Sequence, residues 1–240
     1  MSDNFIVTRD GDVTTILVNK ADDGNRFSDA MAVEMAGLLD TEAAKARMIL
    51  FKAAGPNFCT GRAGGPPPAS IEAYDFRDGF AAVFNCYDSF RRCKAPIVGI
   101  VQGKALGFGC SLAALCDVTI AADTATFALP ETGHGIMPTA AMSALIDRVG
   151  RKALMNIAYT ATEISAEDAR LAGIVSQVVP AAQLDEAATA FVAKMKKIPK
   201  PAVLAVKEFT MNGMGLSNNA MLAFAQNLHS VVNSFSKLKS

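Results

Sequence analysis

The sequence predicts an α/β core over residues 1–180 followed by a helical segment over 181–240. Three observations carry this. Short apolar runs alternate with helix-period patterns as far as Val179, as expected when strands and helices share one core. Two of the runs, Met48–Lys52 and Ile97–Val101, lead into glycine-containing turns of the same build. After Ala181 only helical patterns occur.

In chain order, Phe5–Thr8 and Val13–Val18 flank Asp10-Gly11-Asp12, a hairpin signal. Ser28 is placed to cap a helix through about Ala44, with apolar positions Met31, Met35, Leu38 and Leu39. Met48 onward, ILFKAAGPNFCTGRAGG gives a strand and then a turn bent at Gly61. Gly64-Gly65-Pro66-Pro67-Pro68 is a loop by composition. One long helix is expected from Ile71 to Arg92, with Phe76, Phe80, Val83, Phe84 and Tyr87 on one face and Pro96 ending it.

The unit that organises the chain comes next: KAPIVGIVQGKALGFGCSLAALCDVTIA, Lys94 to Ala121. It reads as a buried strand, a turn spaced by Gly103, Gly107 and Gly109, a small-residue helix from Ser111 to Cys116, and a second apolar run after Asp117. Thr126–Ala128 is a short strand before Pro130-Glu131. Ala140–Val149 and Lys152–Tyr159 are helical on either side of Gly150. Ser165-Ala166-Glu167-Asp168 is a capping box for a helix to Ala172, closed by Gly173, and Ile174–Val179 is a strand. Helices over Gln183–Lys197, Ala202–Met211 and Ser217 to about Phe235 follow.

Composition narrows the function. Lys and Arg total 23 against 23 Asp and Glu, so no basic excess argues for nucleic acid. No apolar run approaches the roughly 18 residues of a membrane span. The first residues, MSDNFIVTRDGDVTTILVN, have neither the basic start nor the apolar centre of a signal peptide. Five cysteines, Cys59, Cys86, Cys93, Cys110 and Cys116, lack CxxC spacing and signal neither a disulfide framework nor a metal site. A cytoplasmic protein with reduced, buried thiols is expected. Cys59 and Cys110, beside the motifs, read as small core residues, since no basic partner is evident.

The glycine turns suggest chemistry. A glycine at a strand-to-helix junction lets backbone approach a ligand, and the free N–H groups of the helix start then point at it. Two such turns, each offering one N–H, suit a single developing oxyanion.

At these residues the chain resembles the crotonase superfamily of enoyl-CoA hydratases and isomerases. The matching stretches are PNFCTGRA (Pro56–Ala63), KAPIVGIVQGKALGFGCSLAALCDVTIAADTATFALPETGHGIMP (Lys94–Pro138) and EISAEDARLAGIVSQVVP (Glu163–Pro180). The resemblance implies a crotonase-like spiral of strand–strand–helix turns forming two near-perpendicular sheets. It also implies C-terminal helices that pack a homotrimer or dimer of trimers. The substrate implied is an acyl-CoA thioester, with coenzyme A entering only as part of it and no separate cofactor or metal. Carried onto this chain, the oxyanion donors are the backbone N–H groups of Arg62 and Phe108, the latter replacing the more usual glycine. The Phe108 ring has two readings, a core aromatic or a wall that narrows the acyl pocket.

Hydratases of this family hold water between two glutamates. Here the first place is Ser111 and the second Glu131. Ser111 reads either as a hydroxyl that orients water or substrate, or as a small residue packed at the helix start. Glu131, in the apolar setting FALPETGHGIM, is expected to have a raised pKa suited to passing a proton back and forth. One carboxylate most simply supports a 1,3-proton shift, as in family isomerases. The hydroxycinnamoyl-CoA hydratase-lyase branch also pairs serine with glutamate, but it needs a phenol-binding partner, and the three tyrosines, Tyr74, Tyr87 and Tyr159, have no assignable place in the pocket. His134, where the family usually has an aliphatic residue, is either a second acid–base group or a surface histidine. His229 and Asp117 read as structural.

For coenzyme A, the segment Asn25-Arg26-Phe27-Ser28 corresponds to the one lining the pantetheine and adenine end. Arg26, Phe27, Gly61 and Arg62 are the candidates, with the two arginines as phosphate ligands or as solvated surface charges. The sequence stops at FSKLKS, Phe235–Ser240, near where relatives continue into a further CoA-clamping helix, and Lys237 and Lys239 are candidate substitutes. The competing functions are an enoyl-CoA isomerase, a hydratase or hydratase-lyase, a thioester hydrolase or decarboxylase, and a non-catalytic acyl-CoA-binding protein.

Overall fold

The computed structural model describes residues 3–64 and 72–234. The expected proline loop from Gly65 onward, Ile71, and Phe235–Ser240 with Lys237 and Lys239 lie outside the described residues.

Strands β1 (Phe5–Asp10) and β2 (Val13–Val18) form the expected hairpin, antiparallel with Phe5 opposite Val18 and Asp10 opposite Val13. Helix α1 (Asp29–Ala43) starts at Ser28, whose hydroxyl accepts from the Met31 N–H at 3.2 Å. Strand β3 (Met48–Ala53) then lies parallel to β2.

The helix expected over 71–92 is two: α2 (Ala73–Asp78) and α3 (Ala81–Arg92). The break falls at Gly79-Phe80, where glycine is a weak helix former and the Phe80 ring is held under the Arg62 guanidinium at 4.6 Å. The buried face also differs. Val83, Cys86, Tyr87 and Phe90 point inward while Phe76 and Phe84 are exposed.

Strand β4 (Ile97–Val101) is buried throughout. The glycine-spaced turn holds a short strand of its own, β5 (Lys104–Leu106), ahead of helix α4 (Phe108–Leu115). Strands β6 (Val118–Ala122) and β7 (Thr126–Ala128) precede a 3-10 turn over Pro130–His134 and helices α5 (Thr139–Leu145) and α6 (Arg151–Thr160). Strand β8 (Ile164–Ser165) leads into α7 (Ala166–Ala172), with the Ser165 hydroxyl accepting from the Asp168 N–H at 3.1 Å. Strand β9 (Gln177–Val179) is shorter than expected because the Ile174 and Val175 N–H groups close α7 by donating to the Ala169 carbonyl. Helices α8 (Leu184–Lys196), α9 (Lys200–Gly213) and α10 (Asn218–Asn233) follow.

Among the described residues these strands make two sheets. One has six strands in the order β1-β2-β3-β4-β6-β9, parallel from β2 on. The other is β5-β7-β8. Phe51 of β3 packs edge-on against Phe58 and Phe90, joining the large sheet to α3 and to the segment after β3. Helix α9 is tied to the core by Lys207, which is 4% exposed and donates to the Asp117 carboxylate at 2.7 Å and the Ala95 carbonyl at 3.1 Å.

Candidate active site

The segment after β3 is fixed from both sides. Asn25, buried and at φ 55°, donates from Nδ2 to the carbonyls of Ala54 and Asn57, both at 2.8 Å, and accepts from the Lys20 N–H at 3.0 Å. Cys59 pairs with Ala105 of β5, donating to the Lys104 carbonyl at 3.0 Å and accepting from the Leu106 N–H at 2.9 Å. Farther on, Phe27 bridges Arg62: its N–H donates to the Gly61 carbonyl at 3.0 Å, and its carbonyl accepts from the Ala63 N–H at 2.7 Å. In such a parallel bridge the flanking residues make the bonds, so the Arg62 N–H is directed away from Phe27. It donates to no other described residue.

The second turn carries the chain from β5 into α4. Gly107 sits at φ 52°, ψ −110°, a conformation that L side chains rarely adopt. The first N–H groups of any helix lack intrahelical acceptors, and the Phe108 N–H donates to no other described residue. Gly109 joins the two segments: a Cβ there would lie 2.1 Å from the Cys59 carbonyl oxygen, so only glycine lets α4 come this close.

Glu131 reaches the same place from the 3-10 turn. A Cβ on Gly107 would stand 2.9 Å from its Oε1, while Oε2 is buried with no hydrogen-bond partner among the described residues. Burial pushes the carboxyl's pKa up, opposed by the residue's own N–H and by the charge of His134. His134 itself is exposed and makes no hydrogen bond to Glu131 among the described residues. Its influence there is electrostatic.

Ser111 is fully buried. Its hydroxyl bonds back to the Gly107 carbonyl at 3.1 Å, with the Ala141 carbonyl at 3.5 Å. Sequence reasoning gave Tyr87 no place in the site, yet its ring stacks on Phe108 at 5.2 Å and 28°. Burial raises the phenol's pKa, and the Glu131 charge acts in the same direction. The Phe108 ring is held between Tyr87 and Phe27, so it is a core aromatic that also backs the site.

The coenzyme A candidates are differently placed. The Phe27 ring is 1% exposed, packed against Phe5 and Phe108, which leaves its main chain alone at the Gly61–Ala63 edge. Arg62 points its guanidinium to Asp29 at 2.7 Å, and Arg26 pairs with Asp23. Neither arginine is an idle cation in this state. Burial pushes the Cys59 and Cys110 thiols up to about 12, so neither is a ready thiolate. Cavities of about 670 and 920 Å³ lie against α9, and neither is lined by Glu131, Arg62 or Phe108.

Residues 8–240 match the family described as Enoyl-CoA hydratase/isomerase. The human enoyl-CoA hydratase domain-containing protein 3, mitochondrial, is 31% identical over 170 residues, 69% of this chain and 55% of that protein. Matches to the first curated relatives span between 55% and 65% of their own length. A crystal structure of an enoyl-CoA hydratase from Mycobacterium smegmatis superposes with a TM-score of 0.89 at 28% identity, covering 95% of this chain and 90% of that one. A Thermobifida fusca structure in complex with CoA shares the fold, with a TM-score of 0.87 at 24% identity over 99% of this chain and 95% of that one. No helix among the described residues is long and apolar enough to cross a membrane.

Proposed function

We propose an acyl-CoA-processing activity for this chain, which belongs to the enoyl-CoA hydratase/isomerase family. The observation that carries it is Glu131: a partly buried carboxylate with one oxygen unpartnered among the described residues, set against Gly107, the residue before Phe108. Its family relatives and the CoA held by the Thermobifida neighbour support a CoA thioester as substrate.

In this reading the Arg62 and Phe108 amides receive the thioester carbonyl oxygen. Removing an α-proton puts negative charge on that oxygen, and two fixed donors stabilise it selectively, each by roughly 2.7–4 kcal/mol. Glu131 takes the α-proton of a 3-enoyl thioester, the dienolate forms between the amides, and the same proton returns at the γ-carbon. The product is the 2-enoyl thioester, with no atom gained or lost. A raised pKa makes the carboxylate a stronger base toward the weakly acidic α-carbon, and the strongly basic dienolate takes the proton back from the carboxyl.

Hydration of a 2-enoyl thioester is the second reading, supported by the enoyl-CoA hydratases among the relatives and neighbours. A homotrimer or dimer of trimers and a cytoplasmic location belong to the same proposal, although the human relative is named mitochondrial. The test is Glu131→Gln, assayed on 3-enoyl-CoA and 2-enoyl-CoA. Loss of turnover on both with CoA-ester binding kept is expected. Wild-type turnover by the variant sinks the reading, and a parent protein inert on both substrates favours a non-catalytic binder.

A further inference from the structure

We propose that the cavity of about 920 Å³ enclosed by α8, α9 and the starts of β4 and β6 binds an amphipathic monocarboxylate, the Arg148 guanidinium holding its carboxylate and the helices its hydrocarbon. This site is separate from the acyl-CoA site above, since Arg62, Phe108 and Glu131 do not line it.

Unpaired polar atoms lead there. Among the described residues two buried side-chain polar atoms have no hydrogen-bond partner, Glu131 Oε2 and Arg148 Nε. The first belongs to the candidate catalytic carboxylate. The second belongs to a side chain that lines the cavity. A buried donor left unpaired costs free energy, so native proteins almost always pair one.

The other cations on the cavity wall are already engaged. Lys207 donates to the Asp117 carboxylate at 2.7 Å and to the carbonyls of Ala95 at 3.1 Å and Phe90 at 3.5 Å, which uses its three protons. Arg91 is bound to both oxygens of Asp147 and donates to the Ser143 carbonyl at 2.9 Å. The Arg148 side chain has no hydrogen bond or ion pair with any described residue. Its neighbour Asp147 reaches it through charge alone. One guanidinium is thus left for an anion that the described residues do not supply.

The rest of the wall sets the rest of the ligand. Phe191 and Met195 of α8 and Val203 and Met211 of α9 line the cavity, with Pro96 and Val118 at the strand starts. Methionine side chains adapt to a flexible chain. The volume lies within the roughly 300–1,000 Å³ of small-molecule sites. Charge selects the headgroup. Asp117 and Asp147 also line the cavity, so a dianionic phosphate would meet two carboxylates with one guanidinium to offset it. A carboxylate brings a single charge and accepts two parallel hydrogen bonds from the planar guanidinium.

The test is isothermal titration calorimetry of the full chain with decanoate, 1-decanol and decyl phosphate. Saturable decanoate binding is expected, weakened at least about tenfold in Arg148→Met, which keeps the stem and removes the charge, and partly restored in Arg148→Lys. Equal 1-decanol binding by the parent and Arg148→Met is expected and shows the cavity intact. Decanoate binding that is absent in the parent, unchanged in Arg148→Met, or displaced by a CoA thioester overturns the proposal, as does decyl phosphate binding as tightly as decanoate. Release of a smaller species by Arg148→Met in light scattering, with no decanoate bound by the parent, gives the guanidinium to an acidic side chain of a second copy and overturns it too. Glu131→Gln is expected to bind decanoate as the parent does, so failure of the acyl-CoA reading leaves this result standing.

Discussion

At the residue scale, the site asks two things of Glu131 that pull against each other. Its carboxylate is held where burial disfavours charge, and the proposed proton transfer requires the charged form to accept a proton. Turnover is therefore expected to fall on acidification with a midpoint above the ordinary glutamate range, read from the pH dependence of kcat; a midpoint at or below that range contradicts this. Stability carries the opposite sign. A folded-state pKa raised above the unfolded one contributes stability at pH below the unfolded pKa, and this is lost as pH rises through the folded pKa. Glu131→Gln is thus expected to raise Tm at neutral pH and to give no gain below about pH 4. Much of this was legible, since Pro130-Glu131 after a short strand and Gly107 before a helix are visible in the sequence. Tyr87 was not. It meets Phe108 only because α3 packs against α4, a contact between distant segments. Nor did charge type reveal that Arg62 and Arg26 are engaged by Asp29 and Asp23.

At the element scale, the site is an agreement between two strand-to-turn units, and their contact is glycine against main chain. Gly109→Ala would set a Cβ against the Cys59 carbonyl, and α4 would have to move off the segment bearing Arg62. An overpacking cost of about 1–3 kcal/mol is expected, seen as a lowered denaturation midpoint, with turnover falling more than stability does. The hairpin, α1 and the strands Met48–Ala53 and Ile97–Val101 were readable because their signals are local: a turn glycine, a serine cap, a bounded apolar run. Strand β5 was hidden inside the turn, since three residues are too few to show a period and their partner β7 lies some twenty positions on. Helix α9 depends on one buried charge. Lys207→Ala leaves Asp117 short of a partner and is expected to cost about 3 kcal/mol, with Lys207→Met, which keeps the stem's packing, costing less. Equal stability of both variants to the parent in urea unfolding contradicts the anchoring role.

For the whole molecule, the segments bearing Arg62, Phe108 and Glu131 meet around Gly107 and Gly109, while α9 and α10 carry exposed apolar side chains. Val206 of α9 and Val231 of α10 are 68% and 69% exposed. Exposed apolar patches of this kind suit subunit packing. The proposed trimer predicts that light scattering finds a multiple of the 25.2 kDa chain, and that Val206→Lys with Val231→Lys releases monomer. A parent protein that is already monomeric contradicts it. The helical tail was readable as helices, but no single sequence says which face meets another copy.

The most direct measurement is deuterium wash-in at the α-carbon of an acyl-CoA thioester in heavy water, since it reports proton removal without requiring any later step. The account predicts steady incorporation with the parent protein, and incorporation at least about a hundredfold slower with Glu131→Gln at unchanged thioester binding. Equal incorporation by the two proteins would contradict it.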